Sequence, residues 1–131
     1  MDKRILFNTL KKFAESIDMT KTVCNKTVEK IFLNADIFAS VAFVKEHFRY
    51  SRLNKIHYIE LENESFELDY ILEDLEDEET VILAFTLNKK RVPSISDLFD
   101  NATAIENEIS KKYEVSFVNS TANTFSLCNS T

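Results

Sequence analysis

Three stretches of the chain carry apolar residues at the three- and four-residue spacing of an amphipathic helix. They predict helices over residues 3–17, 36–48 and 103–113. Asp36 stands just before the second apolar stretch. A carboxylate there accepts a hydrogen bond from the free backbone N–H groups of the first turn, so we expect Asp36 to cap that helix.

The pattern changes to that of strands over residues 27–35, 55–61, 66–72, 80–87 and 114–118. In residues 66–72 apolar and acidic side chains alternate, which predicts a strand with one buried face and one face in water. Residues 80–87 are apolar on both faces, which favours a central strand. The strands between 55 and 87 have short connections and predict an antiparallel meander, and Pro93 is expected to end the sheet.

Together these elements predict an α+β fold, with a mixed or antiparallel sheet of about four strands packed against the helices. The length of 131 residues fits a single domain over residues 1–131, and no internal repeat or domain boundary divides it. Residues 119–131 are rich in Ser, Thr and Asn, so we expect a loosely ordered tail.

The composition excludes several kinds of site. Glycine is absent, and P-loops, GxGxxG turns and GxSxG nucleophile elbows all need it for positive φ or close approach of the backbone to a ligand. The net charge of −6 repels phosphate backbones and disfavours nucleic acid as a partner. Without glycine, positive φ must fall to other residues, and the candidates are the asparagines at predicted turns: Asn25, Asn54, Asn63, Asn88 and Asn101.

The sequence also offers few residues for metal binding or nucleophilic catalysis. His47 and His57 stand apart, and Cys24 and Cys128 form no CxxC pair, so neither a zinc nor an iron–sulfur site is predicted. We expect both cysteines to be free thiols, with a disulfide between them as one alternative and a nucleophilic Cys24–His pair as another. No stretch approaches the ~18 apolar residues of a membrane helix and no signal-peptide pattern opens the chain, so a cytoplasmic protein is expected.

Residues 73–79 carry six carboxylates among seven positions. The position between two predicted strands indicates a solvated hairpin tip. A site for a hard cation is an alternative, although the segment lacks the alternating ligands and the glycine of an EF-hand. A docking surface for a basic partner is the third interpretation.

The most informative segment runs from Val92 to Glu108, and its residues alone predict a turn, a cap and an amphipathic helix. It resembles the signature of the thirty-kilodalton subunit family of respiratory complex I, V-P-S/T-V-T-D-L-F-x-x-A-x-W-x-E-R-E, followed by W-D-x-F/Y-G-I/V. The matching positions are Val92, Pro93, Ser94, Ile95, Ser96, Asp97, Leu98, Phe99, Ala102, Glu106, Glu108, Tyr113 and Val115. With similar strands upstream, the resemblance covers about residues 37–117.

The resemblance implies a non-catalytic, cofactor-free accessory subunit without metal ligands. Such a subunit docks on the large subunit that houses the nickel–iron or quinone site, beside other peripheral-arm subunits. It is attached to the cytoplasmic membrane through the complex, without direct insertion. The resemblance places Phe99, Glu106, Glu108 and Tyr113 at or beneath that interface. The alternative for Phe99 is core packing, and for Glu108 a solvent-facing position.

Four positions depart from the signature. Ala104 replaces its aromatic residue, Asn107 its Arg, Lys111 its Asp and Glu114 its Gly, and the acidic tail with a GHPDL-like turn is missing. In these departures and in its brevity, the chain resembles the short, divergent members of the family that occur in energy-converting membrane-bound hydrogenases. The alternatives are a free-standing protein-interaction module without catalytic activity and an enzyme with an unrecognised site.

Overall fold

The computed structural model of the chain describes residues 17–19, 28–34, 36–76 and 79–119. Both cysteines, residues 3–16 of the first predicted helix and the tail beyond residue 119 lie outside these described residues. Within the described ranges the elements are, in order, β1 (Ile17–Met19), β2 (Val28–Leu33), α1 (Ile37–Phe48), β3 (Arg52–Glu60), β4 (Phe66–Asp74), β5 (Glu79–Leu87), β6 (Arg91–Ser94), α2 (Ala102–Tyr113) and β7 (Ser116–Asn119).

The main sheet has the strand order β1-β2-β5-β4-β3. β2 runs parallel to β5, while the β1–β2, β5–β4 and β4–β3 pairs are antiparallel. The predicted meander of β3, β4 and β5 is therefore confirmed, and β5 is central, as its two apolar faces indicated. The α+β class with a mixed sheet and packed helices is confirmed as well. The sheet has five described strands because the short β1 adds an edge. The sequence did not predict β1, and the helix expected over residues 3–17 is wrong at Ile17, which is the first residue of this strand.

The core lies between the two helices and one face of the sheet. The Asp36 carboxylate accepts a 2.8 Å hydrogen bond from Ala39 N–H, so the predicted cap of α1 is confirmed. Behind this cap α1 turns a buried apolar stripe towards the sheet. Opposite the helices, β4 and β5 contribute side chains that are completely buried: Leu68, Tyr70, Leu72, Val81 and Leu83.

Two strand predictions are wrong. β4 was expected to have one face in water, but Glu67 and Asp69 on that second face are only 7% and 5% exposed. Alternation identifies the two faces of a strand, whereas the burial of a face depends on what packs against it. Pro93 does not end the sheet either: the main sheet ends at Leu87, and Pro93 lies within β6, which pairs in parallel with β7.

The residues with positive φ in the described ranges are Arg49, Asn63, Glu64 and Glu114. Of the asparagines expected there only Asn63 is confirmed; Asn25 lies outside the described residues, and Asn54, Asn88 and Asn101 have other conformations. Arg49 and Glu114 follow the last residues of α1 and α2. Helices often end with a left-handed residue at this position. The positive φ of Arg49 and Glu114 therefore follows from their position after a helix and not from their residue type.

Replacing Glu114 with glycine is expected to stabilise the protein by about 0.5–1 kcal/mol. Glu114 has φ 59° and ψ 36°, where the Cβ atom of an L-residue crowds the following carbonyl oxygen. Urea denaturation measures the gain. Glu114→Ala removes the same carboxylate and keeps Cβ, so it should gain nothing; equal gains in both variants would assign the effect to charge.

Candidate functional site

The signature segment forms one structural unit made of β6, a tight turn and α2. In the turn, the N–H groups of Leu98 and Phe99 donate to the carbonyl oxygen of Ile95 at 2.9 and 3.3 Å. Asn101 precedes α2 without capping it through its side chain. Its amide instead donates to the Leu53 carbonyl oxygen of β3 at 2.9 Å, which fixes the start of α2 against the main sheet.

Glu106 ties α2 back to the end of β6. It is only 4% exposed, and its two carboxylate oxygens accept from the Ser94 hydroxyl at 2.7 Å and from Ile95 N–H at 2.8 Å. Ser94 Oγ also accepts from Ser96 N–H at 3.1 Å. Burial raises the pKa of Glu106, against the opposing effect of the hydrogen bonds from Ile95 and Ser94. One buried carboxylate therefore orders both the turn and the helix.

The two aromatic residues predicted at the interface belong to packed structure. Phe99 is buried, with the ammonium nitrogen of Lys45 5.3 Å from its ring centre. Tyr113 is half-buried and stacks on Tyr58, with ring centres 3.9 Å apart and planes inclined by 9°. Lys90 Nζ donates to the Tyr58 hydroxyl at 2.8 Å and to the Tyr113 carbonyl oxygen at 3.0 Å. This stack holds the end of α2 against β3.

The structure thus separates the four predicted interface residues. Glu108 lies on the exposed side of α2, whereas Phe99 and Glu106 face inward and Tyr113 lies between the two environments. Their role at an interface stays a prediction for all four. Of these four residues, Glu108 is the exposed one, while Phe99, Glu106 and Tyr113 make contacts that hold α2 against the rest of the fold.

The acidic segment lies, as expected, at the hairpin between β4 and β5, and it is described up to Glu76 and from Glu79 onward. Three of its described carboxylates have partners. Arg49 pairs with Glu76, Arg52 Nε lies 3.7 Å from Glu73, and Asp74 is 3% exposed and accepts from Glu76 N–H at 3.0 Å. Substituting Asp74 would therefore disturb the turn itself.

A buried charged cluster on the second face of the main sheet was missed from the sequence. Lys30 Nζ of β2 lies 2.7 Å from Glu67 Oε2 and 3.1 Å from Asp69 Oδ2, both on β4. The cluster reaches across β5, which separates the two strands. The alternation in β4 indicated water for this face, and no local pattern connects Lys30 with either carboxylate.

The three groups of this cluster shift one another's pKa. Burial lowers the pKa of Lys30, but the hydrogen bonds and charges of Glu67 and Asp69 outweigh it and raise the pKa overall. Burial raises the pKa of Glu67, yet hydrogen bonds from Asp69 and Lys30 bring it below its ordinary value. Burial and the hydrogen bond with Glu67 raise the pKa of Asp69 to about 7. Lys30 thus contacts both carboxylates, and Asp69 is the one whose pKa is raised.

Asp69 should make stability depend on pH. Its pKa is about 7 in the folded chain and 3.8 ordinarily, so the folded state binds the proton more tightly and its contribution falls as pH rises from about 4 through 7. Glu67 has the opposite sign, and its contribution is lost only as pH falls below about 4.5 and through its lowered pKa.

Asp69→Asn should therefore flatten the decline in urea stability between about pH 5 and pH 8. Asp100→Asn, at an exposed position, should keep the decline. Parallel profiles for Asp69→Asn and the unaltered chain would contradict the assignment.

Among the residues that the structure describes, no three His, Cys, Asp or Glu side chains lie close enough to hold a metal ion. His47 and His57 are exposed. Within the same described ranges, no helix is long and apolar enough to cross a membrane.

A family model described as "Respiratory-chain NADH dehydrogenase, 30 Kd subunit" matches residues 32–129. The chain belongs to this thirty-kilodalton subunit family. The resemblance of the signature segment is therefore confirmed. A member of the family is a subunit of a complex I-like respiratory oxidoreductase, so its partners are other subunits of such a complex. Among curated proteins, none matches the chain.

Solved structures share the fold of this thirty-kilodalton subunit. A trypsin-resistant fragment of Nqo5 superposes with a TM-score of 0.70 at 16% identity, over 88% of this chain and 93% of that one. A chain of the membrane-bound sulfane sulfur reductase, an archaeal respiratory membrane complex, superposes with a TM-score of 0.59 at 18% identity, over 88% of this chain and 69% of that one. At these identities the likeness shows the fold alone.

Proposed function

We propose that the chain is a single-domain, cofactor-free accessory subunit. It docks on the large catalytic subunit of an energy-converting membrane-bound hydrogenase or a complex I-like oxidoreductase, and it is held at the cytoplasmic side of the membrane through that complex. The family match over residues 32–129 carries this proposal. The similar fold in a membrane-bound sulfane sulfur reductase supports a membrane-attached assembly.

We assign the docking surface to the outer side of α2, defined by Ala104, Asn107, Glu108 and Lys111. All four side chains are exposed. The opposite side of the helix is fixed by the buried Ile109, and its two ends are fixed by the Asn101 amide and the Tyr113 stack. A helix anchored in this way presents its outer side in one orientation, so little conformational entropy is lost on binding.

Co-purification tests this assignment. Ala104→Arg puts a long cation in the middle of the docking surface, and arginine is a good helix former, so the fold should be kept. We expect the variant to lose at least about tenfold in affinity for the large subunit, or about 1.4 kcal/mol. The matched control is Thr86→Arg, at an exposed position of β5.

The outcomes separate two questions. If the unaltered chain fails to co-purify with its large subunit from co-expressing cells, the proposed function fails and a free-standing interaction module takes its place. If the unaltered chain co-purifies, and both arginine variants do so equally well, the function stands but α2 is not the docking element.

A further inference from the structure

A cavity of about 460 Å³ opens between α2 and the β6–β7 pair. Serines contribute much of its polar wall, among them Ser94, Ser96, Ser110 and Ser116. The charged residues that line it are two carboxylates, the buried Glu106 and the exposed Glu114. No lysine, arginine or histidine of the described chain lines this cavity.

Glu106 is a buried carboxylate whose charge no described cation balances. Its hydrogen bonds come from two neutral donors, the Ser94 hydroxyl and Ile95 N–H. Each carboxylate oxygen has a second lone pair, so Glu106 can accept further bonds. The Tyr70 hydroxyl is completely buried in the core and forms no hydrogen bond with the described groups. Burial raises the pKa of Tyr70, and the negative charge of Glu106 raises it further. A buried charge without a counter-ion is costly, and a cation entering the cavity would remove that cost.

We propose that this cavity receives a cationic side chain of the partner subunit, with an arginine head group pairing with Glu106. A guanidinium carries five N–H donors in a planar fork, which can be shared between a carboxylate and the serine oxygens around it. A lysine ammonium offers three donors and a more strongly hydrated charge, so it should bind less well. The identity of the partner rests on the proposed function, whereas the preference of the cavity for a guanidinium is a property of this chain alone.

The first test titrates the isotopically labelled full chain with ethylguanidinium chloride and follows the backbone amides of Ser96, Ser110 and Ser116 by NMR. Butylammonium, magnesium and sodium chlorides at equal ionic strength are the comparison probes. We expect saturable shifts with ethylguanidinium in the millimolar range and weaker shifts with butylammonium. Glu106→Gln should weaken guanidinium binding at least about tenfold, because the amide keeps the shape of the side chain and loses its charge. Glu60→Gln, at an exposed position of β3 outside the cavity, should bind as the unaltered chain does.

Several results would overturn the proposal: no saturable shift in the unaltered chain, equal binding by Glu106→Gln, or saturation by magnesium without saturation by ethylguanidinium. If Glu106→Gln loses the dispersed spectrum of a folded chain, Ser110→Lys takes its place. It puts a cation of the chain's own into the cavity, so it should abolish the guanidinium shifts, and undiminished shifts would count against the site. In co-purification, a loss with Ala104→Arg and none with Glu106→Gln would leave the docking surface in place and reject this cavity as part of it.

Discussion

Replacing Glu106 with alanine should lower the free energy of unfolding by about 2–4 kcal/mol. The substitution leaves the buried Ile95 N–H without its acceptor. It also removes the 2.7 Å hydrogen bond of the Ser94 hydroxyl, which keeps Ser96 Oγ as a second acceptor at 3.0 Å. A buried donor left without an acceptor costs about 1–3 kcal/mol, since it has given up its bond to water. Urea denaturation of the purified chain gives the value.

The matched control is Glu108→Ala, two positions further along the same helix. Glu108 is exposed, so its removal should change the free energy of unfolding by no more than about 0.5 kcal/mol. Similar losses for the two variants would mean that the effect comes from helix propensity or net charge. A small loss for Glu106→Ala would mean that water takes the place of the carboxylate. The hydrogen bonds between Glu106 and the end of β6 would then contribute little to the stability of the fold.

The second large effect is expected at the other face of the sheet. Lys30→Met removes the cation that lies within 3.1 Å of both Glu67 and Asp69 and leaves their carboxyls buried. Removing one partner of a buried ion pair lowers the free energy of unfolding by about 3–5 kcal/mol. Because the Lys30 side chain is 23% exposed, we expect a loss of about 2–4 kcal/mol near pH 8. The loss should shrink at about pH 5, where Asp69, with its pKa of about 7, is protonated.

Lys55→Met is the control for this second prediction, since Lys55 is an exposed lysine of β3. Its effect should stay within about 0.5 kcal/mol at both pH values. Adding Asp69→Asn to Lys30→Met should recover part of the loss near pH 8, because one of the two uncompensated carboxylates is then neutral. A loss that stays equal at both pH values and is not relieved by Asp69→Asn would contradict the charged cluster.

The elements that the sequence predicted correctly have local signals. The Asp36 cap, the apolar stripe of α1 and the two apolar faces of β5 each depend on residues within one helix or strand, and the structure confirms all three. The pairing of β6 with β7 and the burial of the second face of β4 depend on contacts between distant segments. No periodicity in a single chain carries that information.

The candidate site shows the same limit. The signature located the segment that matters, but it predicted the same place beside a partner for Glu106 and Glu108. The structure buries Glu106 and exposes Glu108, since Ser94 and Ile95, which precede α2 in the chain, pack on the side of the helix that carries Glu106. A hydroxyl and a free N–H ahead of the helix were the available signal. Nothing in the spacing indicated that they would meet Glu106.

Site-specific photo-crosslinking tests the central claim most directly. A photoreactive amino acid is introduced at Glu108 on the outer side of α2 or, as the control, at Thr86 on β5, in cells that carry the chain with its large subunit. Both positions are exposed, so both should tolerate the residue. A chain that docks through α2 should give one crosslinked product with the large subunit from position 108 and none from position 86. Crosslinking of the large subunit from position 86 alone, or from neither position while the chain still co-purifies with it, would contradict docking through α2.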